Sequence, residues 1–311
     1  MQNLDGKLIT LLGGGGFVGR YVAQALLAQG ARLRIAQRNP SAANFIKPLG
    51  NLGTVQLIPA DIRKPASIAR AVAGADMVVN LVGSFDNMDA IQHIGAANVA
   101  KAAADAGCSA LVHISAIGGD ASSPAVYGQS KAAGEAAVRE AFPRATILRP
   151  SIVFGREDQF VNRFAALSRM LPIVPVIGST TKFQPIFVGD VAKAVAAALS
   201  DPAHQGKTYD LGGPQILSMR ELNEWIAHAI GRNKIFIDVP DIAAHAMAAT
   251  TGWLPMAPIT MDQYRMLSSD NIVDAGRDGM KALHISPTPL DAVAHDWLTI
   301  YRKHGRFGAA A

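Results

Sequence analysis

The sequence has a single cysteine, Cys108, among its 311 residues, so no disulfide can form within the chain. Such scarcity is typical of proteins that work in a reducing compartment. Aromatic residues make up only 6% of the chain, and no run of lysine and arginine is interleaved with them, which argues against nucleic-acid binding. The eight histidines are scattered, without the cysteine or carboxylate neighbours of a metal site. We therefore predict no nucleic-acid partner and no metal.

Long apolar runs are also missing from the sequence. No uncharged apolar stretch approaches the roughly 18 residues that a membrane-spanning helix requires. The first predicted strand begins close to Met1, which leaves no room for a signal or transit peptide. These absences predict a cytoplasmic protein that is soluble or at most peripheral to a membrane.

Hydrophobic residues, in contrast, make up half of the chain, and the formal net charge is +5. This composition is ample for one large α/β domain, or for a main domain with a smaller partner. The positive charge is compatible with an anionic partner such as a phosphorylated cofactor, an acidic lipid or an acidic protein. A moderately basic soluble protein would account for the charge equally well.

A glycine-rich stretch near the start is the strongest motif. The apolar run Leu8–Leu12 predicts a buried parallel strand, and an amphipathic helical pattern follows it. Gly13 permits a sharp turn, Gly16 lets the backbone approach a pyrophosphate, and Gly19 lets the helix pack against the strand. The N–H groups at the start of that helix would face phosphates. The predicted cofactor contacts here are Gly13, Gly14, Gly15, Gly16, Phe17, Val18 and Gly19.

The second predicted strand, over residues 32–37, ends at Gln37 and is followed by Arg38. A site for NAD(H) usually carries an acidic residue here, which binds the ribose 2′-hydroxyl. A cation in its place would remove repulsion of a 2′-phosphate and bind it instead. We therefore predict NADP(H) in preference to NAD(H).

Three further strands with helical patterns between them predict a parallel sheet of the Rossmann type. They cover residues 54–59, 77–83 and 111–115, with helices predicted from Pro65 and over 90–106. After the first of them, Asp61 either accepts from an adenine amino group or caps the helix that begins near Pro65. Parallel strands place their carboxyl ends at one edge, where ligands bind. Ile62, Leu81, Val82, Gly83 and Pro150 are the other predicted cofactor contacts.

Tyr127 and Lys131 lie four residues apart in a predicted helix and therefore share a face. An ammonium group beside a phenol favours the phenolate and makes the tyrosine a better acid–base group. We predict these two residues, together with Ser115 at the end of a strand, as the catalytic candidates.

From Leu8 to about Leu217 these motifs resemble the short-chain dehydrogenase/reductase superfamily, in its branch related to the NAD-dependent epimerase/dehydratase family. The resemblance rests on the glycine loop, Asp61, residues 80–83, 113–115 and 148–150, and the Tyr127/Lys131 pair. In active members, a serine or threonine two residues beyond the strand-end serine polarises the substrate. Ile117 stands at that place here, and Ser115, Ser122 or Ser123 would have to substitute.

A narrower resemblance concerns residues 151–164, 184–192, 259–267 and 270–273. These segments look like those of the dehydrogenase-like accessory subunit family of respiratory complex I, NADH:ubiquinone oxidoreductase. The resemblance implies a tightly held, structural NADP(H), complex I subunits as partners, and a location on the cytoplasmic face of the inner membrane of a bacterium. The alternative is a free NADP(H)-dependent reductase or epimerase that uses Tyr127 and Lys131.

We predict a dinucleotide-binding domain over residues 1–150 and a smaller, mainly helical domain over 151–311, interleaved with the end of the first. In that second part, an alanine-rich helix is predicted over 191–199 with Asp190 as its cap, and another over 290–301. The apolar stretch 242–256 is either a core helix or an interface for a membrane or partner. The basic tail, residues 301–311, is either a frayed terminus or a contact for acidic lipid.

Overall fold

The computed structural model describes residues 3–254, 257–274, 276–277 and 279–305. The strands in chain order are β1 (Leu8–Leu12), β2 (Arg32–Gln37), β3 (Val55–Pro59), β4 (Met77–Asn80), β5 (Ala110–Ile114), β6 (Thr146–Pro150), β7 (Val153–Phe154), β8 (Ile173–Val176), β9 (Lys182–Phe183), β10 (Ile186–Phe187), β11 (Thr208–Leu211), β12 (Leu217–Ser218) and β13 (Ile235–Asp238).

The α-helices are α1 (Phe17–Leu27), α2 (Pro65–Val72), α3 (Ala96–Asp105), α4 (Val126–Ala141), α5 (Val161–Met170), α6 (Val188–Ser200), α7 (Met219–Ala229), α8 (Asp241–Thr251), α9 (Met261–Met266), α10 (Gly279–Ala282), α11 (Leu290–Val293) and α12 (His295–Leu298). Segments Pro40–Leu49, Pro202–His204 and Thr299–Tyr301 are 3₁₀ turns, and Asp89–Gly95 is a π-helical segment that leads directly into α3.

The chain forms two compact units. Unit 1 comprises Met1–Pro150, Val188–Leu211 and Asp274–Ser286, and unit 2 comprises Ser151–Phe187, Gly212–Val273 and Pro287–Ala311.

Unit 1 contains a seven-stranded sheet in the order β11-β6-β5-β4-β1-β2-β3. Each neighbouring pair is parallel; Leu11, for example, lies between Ile35 of β2 and Val79 of β4. The central strands are buried, as expected for a sheet covered by helices on both faces. The predicted Rossmann-type parallel sheet is therefore confirmed, with the strand order reversing direction between β1 and β4.

One strand and two helices have bounds that differ from the predicted ones. β4 ends at Asn80, short of the predicted Gly83, because Asn80 Oδ1 accepts a hydrogen bond from the backbone N–H of Val82 and turns the chain. The helix predicted over 90–106 begins at Asp89 with π-helical turns. Asp190 is not a helix cap, since α6 already begins at Val188; its buried carboxylate instead accepts from Lys193 Nζ at 2.8 Å.

Unit 2 is mainly helical and has its own core. Phe154, Leu222, Ile226 and Trp297 are among its buried side chains. The helix predicted over 290–301 is divided into α11, α12 and a 3₁₀ turn. Ala294, which lies between α11 and α12, accepts hydrogen bonds from the N–H groups of both Leu298, at 3.1 Å, and Trp297, at 3.4 Å.

Several segments of unit 2 are joined by the side chain of Gln184. Its Nε2 donates to Gly213 O at 2.8 Å, and its Oε1 accepts from the N–H of Val273 at 2.9 Å. Ser151 Oγ donates to Asn271 O at 2.8 Å and accepts from the N–H of Gln184. Residues that carry the narrower family resemblance therefore bind one another.

The apolar stretch 242–256 forms α8 and the residues after it. Ala244 and Ala248 are buried, whereas Ile242 and Trp253 lie at the surface, Trp253 with 78% of its area exposed. Met256 and the tail from residue 306 onward lie outside the described residues. Among the described residues, no helix combines the length and apolar composition needed to cross a bilayer.

Candidate functional site

The glycine loop connects β1 to α1 at the carboxyl edge of the sheet. Gly13 has a φ of +78°, a left-handed conformation that glycine adopts without strain. Its N–H donates to Ala36 O at 2.9 Å, which fixes the turn beside β2. A Cβ at Gly19 would overlap the backbone of Gly14, so the helix packs against the loop only with glycine there. These contacts support the roles expected of Gly13 and Gly19 in shaping the turn.

The N-terminus of α1 offers space for an anion. The helix is capped by Gly16 with no side-chain hydrogen bond, and its first turn contains no acidic residue. Gly16 is exposed, and a Cβ there would contact only Gly13 O, at 3.3 Å. The backbone N–H groups at this end, including those of Phe17 and Val18, are therefore not covered by a cap side chain. A pyrophosphate group fits this arrangement.

The end of β2 carries one neutral and one charged side chain. Gln37 Oε1 accepts from the N–H of Gly15 at 3.0 Å, and Gln37 Nε2 donates to Asn39 O at 2.6 Å. Arg38 is exposed and makes no hydrogen bond or ion pair with any residue that the structure describes. Its guanidinium is therefore available to an anionic ligand at this edge.

Asp61 lies just beyond β3, and its carboxylate binds Arg63. Distances are 2.9 Å from Oδ1 to Arg63 Nε and 2.6 Å from Oδ2 to the terminal guanidinium nitrogen. This bonding lowers the pKa of Asp61 to about 2. The interpretation of Asp61 as a cap for the helix at Pro65 is wrong, because Lys64 is the N-cap of α2 and Asp61 binds within its own turn. Ile62, next to it, is buried.

Side chains at the carboxyl ends of the neighbouring strands β4 and β5 contact each other. Asn80 Nδ2 lies 3.2 Å from His113 Nδ1 and donates to it, since Asn80 Oδ1 already accepts from Val82. Burial lowers the pKa of His113 to about 3, so the ring is neutral near pH 7. Ser115 is buried, and its Oγ has no hydrogen-bond partner among the described residues. It is an orphaned hydroxyl directly beyond β5.

Tyr127 and Lys131 lie in the first turns of α4, as predicted. Lys131 Nζ is 5.7 Å from the centroid of the Tyr127 ring and 3.4 Å from Ile114 O, to which it donates. Burial lowers the pKa of Lys131 to about 8, an effect that Glu135 opposes. Burial also raises the pKa of Tyr127 to about 12. The expectation that Lys131 favours the Tyr127 phenolate is therefore wrong in this structure, because desolvation dominates.

The other serine candidates are engaged elsewhere. Ser122 Oγ donates to Asp120 Oδ1 at 2.7 Å, and Ser123 Oγ accepts from the N–H of Ala125 before α4 begins. Ile117 presents an apolar side chain, and its N–H donates to Pro150 O at 3.1 Å. Ser115 is the serine that the structure leaves without a partner at this edge.

The parallel sheet thus brings most predicted residues to one edge of unit 1. Leu81 N–H donates to Leu12 O, Ser115 N–H donates to Leu148 O, and Val82 contacts Gly13. A Cβ at Gly83 would lie 3.5 Å from Lys131 Nζ, which connects the end of β4 to α4. In the part of the chain that the structure describes, no group of three metal-ligand side chains comes together.

Several residues of this region are not found by sequence reasoning. Glu135 is buried and binds Arg149 through two bonds of 2.7 Å, one turn of α4 beyond Lys131. The ring of Phe85 lies on that of Tyr127, and Gln92 is buried nearby. The spacing of Lys131 and Glu135, four residues apart, is a detectable helix signal. No local sequence pattern predicts the contacts of Phe85 or Gln92.

Comparison with known proteins agrees with this architecture. Residues 9–212 match the NAD dependent epimerase/dehydratase family. In structure, the chain is similar to a Citrobacter triphenylmethane reductase complexed with NADP(H), with a TM-score of 0.75 at 23% identity over 93% of this chain and 99% of that one. At this identity the likeness shows the fold.

Two relatives are similar along nearly the whole sequence. Both bear the name NADH dehydrogenase [ubiquinone] 1 alpha subcomplex subunit 9, mitochondrial. The protein from Arabidopsis thaliana is 34% identical, covering 99% of this chain and 81% of its own length. The protein from Mus musculus is 31% identical, covering 97% and 82%. This chain belongs to the NAD-dependent epimerase/dehydratase family, a family that binds a nicotinamide cofactor.

Proposed function

We propose that this protein is an accessory subunit of NADH:ubiquinone oxidoreductase that holds NADP(H) in unit 1 without turning it over. The observation that carries the proposal is the extent of the similarity to the subunit 9 relatives. It covers 99% of the chain, whereas the family match ends at residue 212 and leaves out most of unit 2, including Pro287–Ala311. One fold hosts many functions, so similarity that continues through the part of the chain beyond residue 212 supports a shared role with these relatives.

The chemistry of the site is consistent with a held cofactor. Ile117 stands where an active family member would polarise its substrate, and Ser115 is buried. The Tyr127 phenol, with its pKa raised to about 12 by burial, stays protonated at neutral pH. Such a phenol donates a hydrogen bond but gives up its proton less readily than an ordinary tyrosine does. Lys131 and Tyr127 then serve to bind the nicotinamide ribose.

The preference for NADP(H) rests on the end of β2. Arg38 is exposed there, while the neutral Gln37 bonds to the glycine loop. A guanidinium binds a phosphate strongly, often through two parallel bonds. Gly13–Gly19 would hold the pyrophosphate, and Asp61 and Ile62 the adenine.

The site of attachment to the larger complex is proposed to lie on unit 2. Ile173, Ile235 and Ile237 are exposed, and β8 and β13 place Ile235 directly opposite Ile173. Exposed apolar side chains that adjoin one another mark interaction surfaces. We place the protein peripherally, on the cytoplasmic face of the inner membrane.

A fractionation experiment tests the proposal. Native membranes are extracted with a mild detergent and separated by size, and each fraction is assayed for this chain, for NADH:ubiquinone oxidoreductase activity and for bound nucleotide. The expected result is co-migration of chain and activity, with NADP(H) released on denaturation. Recovery of the chain only in the soluble fraction, or release of NAD(H) alone, would contradict the corresponding part of the proposal.

A further inference from the structure

An exposed aromatic side chain lies directly on the ring of Tyr127. The ring centroids of Phe85 and Tyr127 are 4.8 Å apart, with 24° between the ring planes. Phe85 has 57% of its area exposed, so burial in a core does not account for its position. Stacked aromatic pairs at this separation are stabilised by more than the burial of their apolar area alone would give.

The loop that carries Phe85 is tied to the helix that carries Tyr127. Gln92 Nε2 donates to Ser84 O at 3.0 Å and lies 3.2 Å from Ser130 Oγ. Ser130 Oγ in turn donates to the carbonyl oxygen of Tyr127 at 2.8 Å. One buried amide thus binds the residue before Phe85 and the first turn of α4 together.

The tether depends on an unusual backbone. Gln92 lies in the π-helical segment Asp89–Gly95, and a Cβ at Gly134 of α4 would overlap the carbonyl group of Gln92. π-Helical turns are rare and recur at functional sites. The chain also adopts a left-handed φ of +48° at Asn87, two residues after Phe85. These features hold the loop in one place against α4.

Phe85 occupies the region that a substrate would need. It follows β4 by five residues, at the edge of the sheet where ligands of open α/β folds bind. Gly83, two residues earlier, lies beside Lys131 Nζ. A carbonyl compound that used the Tyr127 hydroxyl would have to enter next to this ring.

We propose that Phe85 is a specificity residue: an aromatic cover, tethered through Gln92, that keeps carbonyl substrates away from Tyr127. This inference rests on the proposed function and deepens it, because it names a residue that prevents the bound nucleotide from being consumed. It assigns to Phe85 no part in holding the nucleotide.

Chemical modification of tyrosine tests the cover directly. The purified full-length protein is treated with N-acetylimidazole, and acetylation of each tyrosine is followed by peptide mass spectrometry. In Phe85→Ala we expect acetylation of Tyr127 to accelerate by about 2- to 12-fold, the factor that corresponds to about 0.5–1.5 kcal/mol of stacking. Tyr264 in unit 2 is the internal reference and should react at an unchanged rate.

Two further variants distinguish the loss of the aromatic cover from a general disturbance of the structure. Phe85→Trp retains a stacking ring and should keep Tyr127 as slow as in the parent protein. Gln92→Leu removes the tether while filling the space and should accelerate Tyr127 although Phe85 is present. Equal acetylation of Tyr127 in the parent protein and in Phe85→Ala would overturn the inference, and so would an equal acceleration of Tyr264. Neither result depends on whether the chain co-migrates with NADH:ubiquinone oxidoreductase, so the two proposals fail separately.

Discussion

Gln37 Oε1 accepts a hydrogen bond from the backbone N–H of Gly15 at a distance of 3.0 Å. A neutral amide therefore stands at the strand end where NAD(H) sites carry a carboxylate. Both ends of the amide are occupied, since its Oε1 binds the glycine loop and its Nε2 donates to Asn39 O. Arg38, the next residue, is the charged group left for a ligand at this position.

Replacing Arg38 with aspartate should reverse the nucleotide preference. One charge-assisted hydrogen bond contributes about 1.5–3 kcal/mol, so the Kd for NADPH should rise about 10- to 150-fold. NADH, which lacks the 2′-phosphate, should bind about as well as before or better. Fluorescence titration with both nucleotides measures the change.

Arg70→Asp is the matched control for charge. Arg70 is exposed in the last turn of α2, which runs back toward the amino ends of the strands. Its reversal should leave the ratio of the two Kd values unchanged. An unaltered ratio in Arg38→Asp would remove Arg38 from the site.

Gly16→Val should abolish nucleotide binding while leaving the fold intact. Gly16 has an extended backbone, with φ −78° and ψ −179°, that a β-branched residue tolerates. Its Cβ would contact only Gly13 O within unit 1, so the valine methyl groups would occupy the space assigned to the pyrophosphate. Titration should detect no NADPH binding, and thermal unfolding of the nucleotide-free protein should stay within a few degrees. Retained affinity would refute the placement of the pyrophosphate.

Tyr127→Phe distinguishes the accessory subunit from a free enzyme. The substitution removes only a hydroxyl, whose pKa burial has already raised to about 12. If the nucleotide is merely held, the variant should still contain NADPH and still co-migrate with NADH:ubiquinone oxidoreductase. A free reductase would lose about 10²- to 10⁴-fold in rate, the usual contribution of an acid–base group. Comparing NADPH consumption in parent and variant separates these outcomes.

The features that the sequence predicts well are local or follow from strand order. β1, the glycine turn and α1 are adjacent in the chain, and parallel strands necessarily gather Gly13, Leu81 and Ser115 at one edge. The contacts of Phe85, Gln92 and Gln37 join distant segments through side chains and have no periodic pattern. The expectation that Lys131 favours the Tyr127 phenolate failed for a related reason: burial is a property of the folded surroundings, whereas the spacing in the sequence identifies only the neighbouring ammonium group.

Replacing both Ile235 and Ile237 with lysine should detach the protein from its proposed complex. Ile235 is 63% exposed, and the exposed face of β13 lies beside Ile173 and Pro175 of β8. Surface substitutions usually change the free energy of unfolding by no more than about 0.5 kcal/mol. Co-migration with NADH:ubiquinone oxidoreductase should fall sharply, whereas Leu52→Lys, at a fully exposed residue of unit 1, should leave it unchanged. Undiminished co-migration of the double variant would exclude this surface.

Lys131 should make the stability of the nucleotide-free protein depend on pH in an unusual direction. Burial lowers its pKa from 10.5 to about 8, so between these values the unfolded chain binds more protons than the folded one. Stability from this group therefore rises with pH across that window, by up to about 3 kcal/mol. Below pH 8 both states are protonated, and the buried charge destabilises the fold.

Lys131→Met removes this contribution while keeping most of the side-chain volume. The variant should exceed the parent protein in unfolding free energy at pH 7, and the advantage should shrink progressively from pH 8 to pH 10. Urea denaturation of both proteins at several pH values gives the difference, in which the other titrating groups largely cancel. Lys101→Met, at an exposed position of α3, should show no such trend. A difference that stays constant with pH would mean that Lys131 does not titrate in this window, and that solvent reaches its ammonium group.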